Sequence, residues 1–285
     1  MSFFRYPGGK AKLSKPILQK IQEITKGKEI TTYLEPFFGG GSIGLKVLEE
    51  NIFPNLQTVA LNDYDFGIWC LWDSVYRDPE KLKRLVSDFT PTVEAFYDFK
   101  DKLLNNRFKF PIVEIGFMKL AIHQMSYSGL GTKAGGPIGG VKQASKYGVN
   151  CRWSPNSILK KIDKYHELFC RYKILTWVND FEEFLFAYAS ENSFAYIDPP
   201  YFGKGNDLYQ FSFNAPRQPF SRPREEDHSR LANQLKTLNG LWLLSYDDCP
   251  EIRELYSWAT IEEISVIYTI KTARTKNELL IYPKQ

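Results

Sequence analysis

Apolar and polar positions along the 285-residue chain follow two periods in turn. Leu13, Ile17, Leu18, Ile21 and Ile24 recur at spacings of three and four residues, which places them on one face of a helix. Thr31–Leu34 then reads as a strand, Ser42–Glu50 as a helix and Thr58–Leu61 as a second strand. A strand–helix–strand unit implies a parallel sheet. The alternation returns from Ile174, with strands expected over Ile174–Val178, Phe194–Ile197, Leu241–Ser245, Ile261–Ile270 and Leu279–Tyr282, and a helix over Asp227–Lys236. The last two strands, separated by Lys271–Glu278, read as an antiparallel hairpin that closes the sheet.

Between these two stretches the pattern changes. Residues 68–170 are helical in their first half and then break into Gly129–Asn150, where seven glycines stand among lysines and polar residues. The expected organisation is one α/β domain made of residues 1–67 and 171–285, with 68–170 as a helical insertion that carries a long loop. Long loops inside compact domains tend to be functional.

The net charge is only +4, but it is unevenly spread: Ile115–Ile162 holds seven Lys or Arg residues and no Asp or Glu. A local basic stretch of that kind suits a polyanion. Aromatic residues make up 15% of the chain, which leaves rings over for stacking on bases after the core is filled. Four cysteines, at 70, 151, 170 and 249, show neither CxxC spacing nor a partnering His, so no metal site is expected and free thiols in a reducing compartment are. Met1–Arg5 lacks the apolar core of a signal peptide, and no apolar run reaches membrane-spanning length. A cytoplasmic protein without a membrane partner is the expectation.

Three short segments carry chemistry. Asp198-Pro199-Pro200-Tyr201 follows the strand Phe194–Ile197. Its prolines stiffen the turn and leave carbonyls free to accept, Asp198 adds a carboxylate and Tyr201 a flat face. Such a cluster suits an exocyclic amino group on a planar heterocycle. Glu35-Pro36-Phe37-Phe38-Gly39-Gly40-Gly41-Ser42 lies between a strand and a helix, where glycines let a ligand approach the backbone. Asp63 ends the next strand, where α/β nucleotide sites place a carboxylate for ribose hydroxyls. Neither a GxGxxG fingerprint nor a complete P-loop is present, although Gly8-Gly9-Lys10 is part of one.

Taken in order, Pro7-Gly8-Gly9-Lys10, Glu35-Pro36-Phe37-x-Gly39-x-Gly41-Ser42, Asn62-Asp63 and Asp198-Pro199-Pro200-Tyr201 resemble the Dam-type (D12 class, alpha group) DNA adenine-N6 methyltransferases. The likeness extends to Tyr127-Ser128-Gly129-Leu130 and to Arg274-x-Lys276-x-Glu278-Leu279-Leu280. It implies a Rossmann-like AdoMet-dependent methyltransferase sheet with a helical target-recognition insertion. It also implies S-adenosyl-L-methionine (AdoMet) as cofactor, with Tyr6 and Lys10 beside it, Glu35, Phe37, Gly39 and Gly41 around its methionine part, Asp63 on the ribose, and Asp180 and Phe181 at the adenine.

The resemblance makes duplex DNA the substrate. A paired, stacked adenine must be flipped out before its amino group can react. Asp198 and the Pro199 carbonyl would then accept from that amino group, Pro200 would stiffen the turn and Tyr201 would stack on the base. An ordinary Asp198 pKa would make it a weak base. Tyr127, Ser128, Lys142, Lys146 and Arg152 in the basic stretch, and Arg274 and Lys276 in the loop before the last strand, are the candidate DNA contacts. Thr132 and Lys133 stand where a Dam-like enzyme has an Arg followed by an aromatic, so a GATC target is not implied. A monomer suffices for this chemistry. Whether a cognate restriction endonuclease accompanies the enzyme in a restriction-modification pair, or it is solitary or phage-borne in a bacterial cell, stays open. Cytosine-N4 or RNA methylation and a silent DNA-binding module on the same fold are the competing readings.

Overall fold

The computed structural model describes residues 3–202, 225–270 and 272–284. Its strands are β1 (Thr32–Glu35), β2 (Thr58–Asn62), β3 (Lys173–Trp177), β4 (Ser193–Ile197), β5 (Leu241–Asp247), β6 (Thr260–Ile270) and β7 (Thr272–Tyr282). They form one sheet in the order β3-β2-β1-β4-β5-β7-β6. β1 to β5 pair in parallel, and β7 runs antiparallel to both β5 and β6. The mostly parallel α/β architecture expected from the sequence is therefore present. Strand order reverses between β1 and β4, and crevices at such reversals, outside the carboxyl ends of the strands, are where α/β sheets bind ligands.

Side chains alternate across the sheet. Tyr33, Val59, Leu61, Phe194, Tyr196 and Leu243 enter one core, while Leu34, Ala60, Ala195, Ile197, Trp242 and Leu244 enter the other. Both faces are covered, which is why these strands read as continuous apolar runs. α1 (Ser14–Ile24) buries the Ile17, Leu18, Ile21 and Ile24 stripe, and α2 (Gly44–Glu49) follows the glycine turn.

The central helices are α3 (Phe66–Arg77), α4 (Pro79–Asp88), α5 (Val93–Asn105), α6 (Ile112–Met125) and α7 (Pro155–Phe169). Local caps start several of them: Asp65 accepts from the Gly67 and Ile68 amides, Asp78 precedes Pro79, and Thr92 accepts from the Ala95 amide. α6 is apolar nearly all round and accordingly buried on most sides. It touches α3 at Gly116, where a Cβ would lie 2.7 Å from the Cys70 carbonyl. These helices share a core with one sheet face, Phe3, Tyr33, Trp72 and Ile122 all belonging to it. Cations of the basic stretch also turn inward: Lys119 pairs with Asp65 at 2.5 Å and Lys161 donates to the Phe3 carbonyl.

Helices α8 (Phe181–Tyr188), α9 (Glu225–Lys236) and α10 (Pro250–Leu255) are the remaining α-helices among the described residues. The pattern reading foresaw α9 but not the short α8 and α10. It also misplaced the last hairpin. β7 begins at Thr272, so Arg274 and Lys276 lie in a strand opposite Tyr268 and Val266 rather than in a loop. Beyond Asp247, β6 alone among the described residues pairs with this part of β7, so it needs no apolar run and its polar residues resemble a loop. The side chains of Arg274 and Lys276 lie outside the described residues.

Candidate functional site

Four strand ends meet at the reversal of the sheet. β1 ends in Glu35 and β2 in Asn62, which Asp63 follows; Asn179 and Asp180 follow β3, and Asp198 follows β4. Asn62 ties three of these ends together. Its amide nitrogen donates to the Pro36 and Asn179 carbonyls at 3.0 Å each, and its oxygen accepts from the Asn179 amide at 2.9 Å. The cleft above holds about 940 Å³ of space, part of it open solvent at the mouth.

The glycine turn forms one wall. Gly39 has φ +47°, its amide donates to Asp63 Oδ2 at 2.7 Å, and its carbonyl accepts from Trp72 Nε1 at 2.8 Å. A Cβ on Gly39 would lie 2.7 Å from the Tyr6 ring, so backbone and aromatic are in direct contact. Tyr6, Lys10, Glu35, Phe37, Gly39, Asp63, Asp180 and Phe181 all line the cleft. Gly41 does not; at φ +66° it packs under the wall against Phe38, Trp72 and Leu45.

Carboxylates prevail in this cleft. Glu35, Asp63, Asp65, Asp180, Asp198 and Asp227 line it, against Lys10 among the described cations. Burial raises Glu35 well above the usual carboxylate range, although the Tyr33 hydroxyl donates to it at 2.7 Å. Burial and the neighbouring Asp65 push Asp63 up to about 7, against the pull of the Asp65 and Gly39 amides. Burial acts on Asp65 too, but the Lys119 ammonium overrides it and holds that carboxyl below its ordinary value. Ser42 Oγ is buried on the cleft wall with no hydrogen-bond partner among the described residues. A ligand with cationic groups, hydroxyls and a flat ring fits this set: carboxylates for charge and hydroxyls, an orphan hydroxyl, glycines without Cβ, and the Phe37–Phe181 pair with ring centroids 5.6 Å apart. AdoMet has those groups.

At the floor, Asp198 Oδ1 accepts from Lys10 Nζ at 2.6 Å and from Ser245 Oγ at 3.1 Å. Ser245 Oγ in turn lies 2.9 Å from the Tyr196 hydroxyl. Lys10, which the sequence placed beside the cofactor, thus faces the proline turn as well. Its ammonium lies 4.6 Å from the Tyr201 ring centroid and 3.9 Å from Glu278, and the Tyr201 hydroxyl donates to Glu278 at 2.8 Å. Pro200 lines the cleft, while Pro199 and Tyr201 are buried behind it. Burial raises the Asp198 pKa, with Lys10 and Ser245 opposing the shift and Glu278 adding to it. The ordinary pKa expected from the sequence is therefore corrected: Asp198 is a better proton acceptor than a free aspartate.

On the far side, Asp180 caps α8 through the Glu182 amide and pairs with Arg230 at 2.9 Å. Arg230 lies over the Phe181 ring, 5.1 Å from its centroid, and also binds Asp227 at 2.7 Å. The candidate DNA contacts whose side chains are described lie outside the cleft lining. Tyr127 is 69% exposed, Ser128 adopts φ +56°, Lys142 and Lys146 are exposed, and half-buried Arg152 donates to the Ser126 carbonyl at 3.3 Å. Sequence reasoning missed Ser245, Glu278 and Arg230. The first two had a signal, each being a polar residue inside or at the start of an apolar strand; Arg230 had none.

The sequence matches the model of the D12 class N6 adenine-specific DNA methyltransferase family over residues 6–270. The chain belongs to this family. It is an AdoMet-dependent, adenine-specific DNA methyltransferase. It is similar to the Type II methyltransferase M.MjaIII of Methanocaldococcus jannaschii, 24% identical over 213 residues that cover 70% of this chain and 68% of that one. Among solved structures, the methyltransferase shares 12% identity with the rRNA methyltransferase aviRa from Streptomyces viridochromogenes, covering 98% and 86% of the two chains at a TM-score of 0.41. The precorrin-6y C5,15-methyltransferase from Geobacter metallireducens gives 8% identity, 98% and 91% coverage and a TM-score of 0.36. Likeness this low says nothing of substrate. Among the described residues, no helix is long and apolar enough to cross a membrane.

Proposed function

We propose that the methyltransferase acts on duplex DNA, taking one adenine out of the stack and methylating its N6 at the Asp198–Tyr201 turn. The observation that carries this reading is the half-buried Asp198 carboxylate at the cleft floor, already holding a cationic nitrogen at hydrogen-bond distance. AdoMet, when bound, supplies an electrophilic methyl group on a cationic sulfur. Glu35 and Asp63 would hold its charge and hydroxyls, and Phe37 and Phe181 its purine.

Asp198 and the Pro199 carbonyl accept from the two N6 protons of the target, which concentrates the nitrogen lone pair otherwise shared with the ring. The incoming amino group takes the donor place that Lys10 holds in the free enzyme. Tyr201, its hydroxyl fixed by Glu278, offers its ring once the Lys10 ammonium withdraws. Positive charge that develops on N6 is stabilised by the carboxylate beside it. Asp198, with its raised pKa, then receives the proton released by the methylated nitrogen. In this reading, residues 68–170 form the recognition insertion, with Tyr127, Ser128, Lys142, Lys146 and Arg152 on the DNA.

The test compares label transfer from AdoMet to unmethylated duplex and to single-stranded DNA, followed by nucleoside digestion. N6-methyladenine at a recurring duplex site, lost in Asp198→Ala with AdoMet binding retained, is the expected result. N4-methylcytosine, RNA methylation, or near-normal turnover in Asp198→Ala would overturn it.

A further inference from the structure

α6 leads straight into the turn that carries Tyr127 and Ser128, and two buried ionisable side chains stand near its end. Lys119 holds Asp65 at 2.5 Å, and the Asp65 amide donates to Asp63 at 2.8 Å, on the cofactor side. One helical turn later His123 reaches the other way, with Nδ1 2.8 Å from the Gly129 carbonyl. A carbonyl only accepts, so Nδ1 carries the proton. Burial, reinforced by Lys119, pushes the His123 pKa down to about 3 and keeps the ring neutral. Its Nε2 has no hydrogen-bond partner among the described residues and is covered by Gly131, where a Cβ would lie 2.8 Å away. The ring also meets Phe4 and Tyr6 at centroid distances of 5.2 and 5.5 Å, and Tyr6 lines the cleft.

The turn is held in an unfavourable shape. Ser128 is a non-glycine residue at φ +56°, the Gly131 amide donates to Ser126 Oγ at 2.9 Å, and Gly129 packs against Arg5. Backbone strain of this kind persists where the surroundings over-determine it, and it gathers at functional sites. His123 connects the turn's central carbonyl to the cleft wall.

We propose that His123 is a positioning residue for DNA recognition, an imidazole that fixes the Tyr127–Gly131 turn against the Tyr6 wall so that the Ser128 tip meets DNA in one shape. Lys119 anchors the same helix to Asp65, so α6 sets the placement of the turn relative to the cofactor cleft. This inference rests on the reading of Tyr127 and Ser128 as DNA contacts.

His123→Asn and His123→Leu in the full chain test it. The Asn amide nitrogen falls where Nδ1 does and donates to Gly129, whereas Leu fills the space and donates nothing. The measurements are melting temperature, AdoMet affinity, kcat and KM for a duplex bearing the mapped site, and the rate ratio between that site and its single-base variants. His123→Leu should raise KM for DNA roughly tenfold, the effect of one lost buried hydrogen bond, with AdoMet affinity kept. It should also lower discrimination more than it lowers kcat, and His123→Asn should restore both. Equal loss in the two variants, loss of AdoMet affinity in both, or normal KM and discrimination in His123→Leu would overturn the role. Tyr127→Ala isolates the underlying reading: unchanged KM for DNA there removes the turn from the interface. A raised KM in Tyr127→Ala beside a normal His123→Leu defeats only the histidine.

Discussion

Asp63→Asn should make the methyltransferase more stable and worse at holding its cofactor. The folded-state pKa of Asp63 stands at about 7, against 3.8 for a free aspartate. A carboxyl raised on folding binds its proton more tightly in the folded state, so its contribution is full below about pH 4 and is lost as pH rises to about 7. The shift of roughly three pH units sets an upper bound of about 4 kcal/mol. The cleft is open to water, so about half of that, ~2 kcal/mol, is the expected penalty above pH 7. Asn mimics the protonated acid and removes the penalty. In scanning calorimetry without cofactor, the variant should melt close to the unmodified protein at or below about pH 4 and about 4–8 °C above it at pH 8. AdoMet, deprived of a charged acceptor, should bind about 10–100-fold more weakly. A melting difference that does not change with pH, or unaltered AdoMet affinity, would refute the reasoning.

Two further changes probe the floor and the DNA side. Lys10→Met removes the cation 2.6 Å from Asp198 in the free enzyme, so the carboxyl should rise further; the acid limb of the kcat/KM–pH profile should move up by about 1–2 units, and an unmoved limb would show that Asp198 ionisation does not limit the reaction. Replacing Lys142, Lys146 and Arg152 together with Gln should lessen the slope of log affinity against log salt by about 2–3, read from DNA titrations at several salt concentrations.

The parallel sheet and the cleft were legible because they rest on local patterns. Apolar runs at β1 to β5 mark strands covered on both faces, and the acidic residues that follow them mark the carboxyl edge. What escaped depends on distance in space rather than in sequence. Lys10 reads as a neighbour of the cofactor, but its link to Asp198 bridges 188 positions of the sequence. Ser245 and Glu278 sit in apolar runs and become polar neighbours of Asp198 only after β5 and β7 pair. β7 reads short because its first half pairs, among the described residues, with β6 alone, and no apolar period announces such a segment. Arg230 reads as an ordinary helix-surface cation until α9 folds against α8 and brings it to Asp180 and Glu182.

The floor of the site draws on both extremes of the chain, with Lys10 before the first helix and Glu278 on the final strand only 3.9 Å apart. During synthesis the glycine turn and the proline turn emerge long before Glu278 does. A nascent or truncated chain that lacks the last strand therefore has its cofactor wall without the partner that seats Tyr201 and shares Lys10. If Tyr201 and Lys10 act as proposed, a chain that stops before Glu278 should be inactive, so premature termination should yield silent fragments rather than unregulated modifiers of DNA.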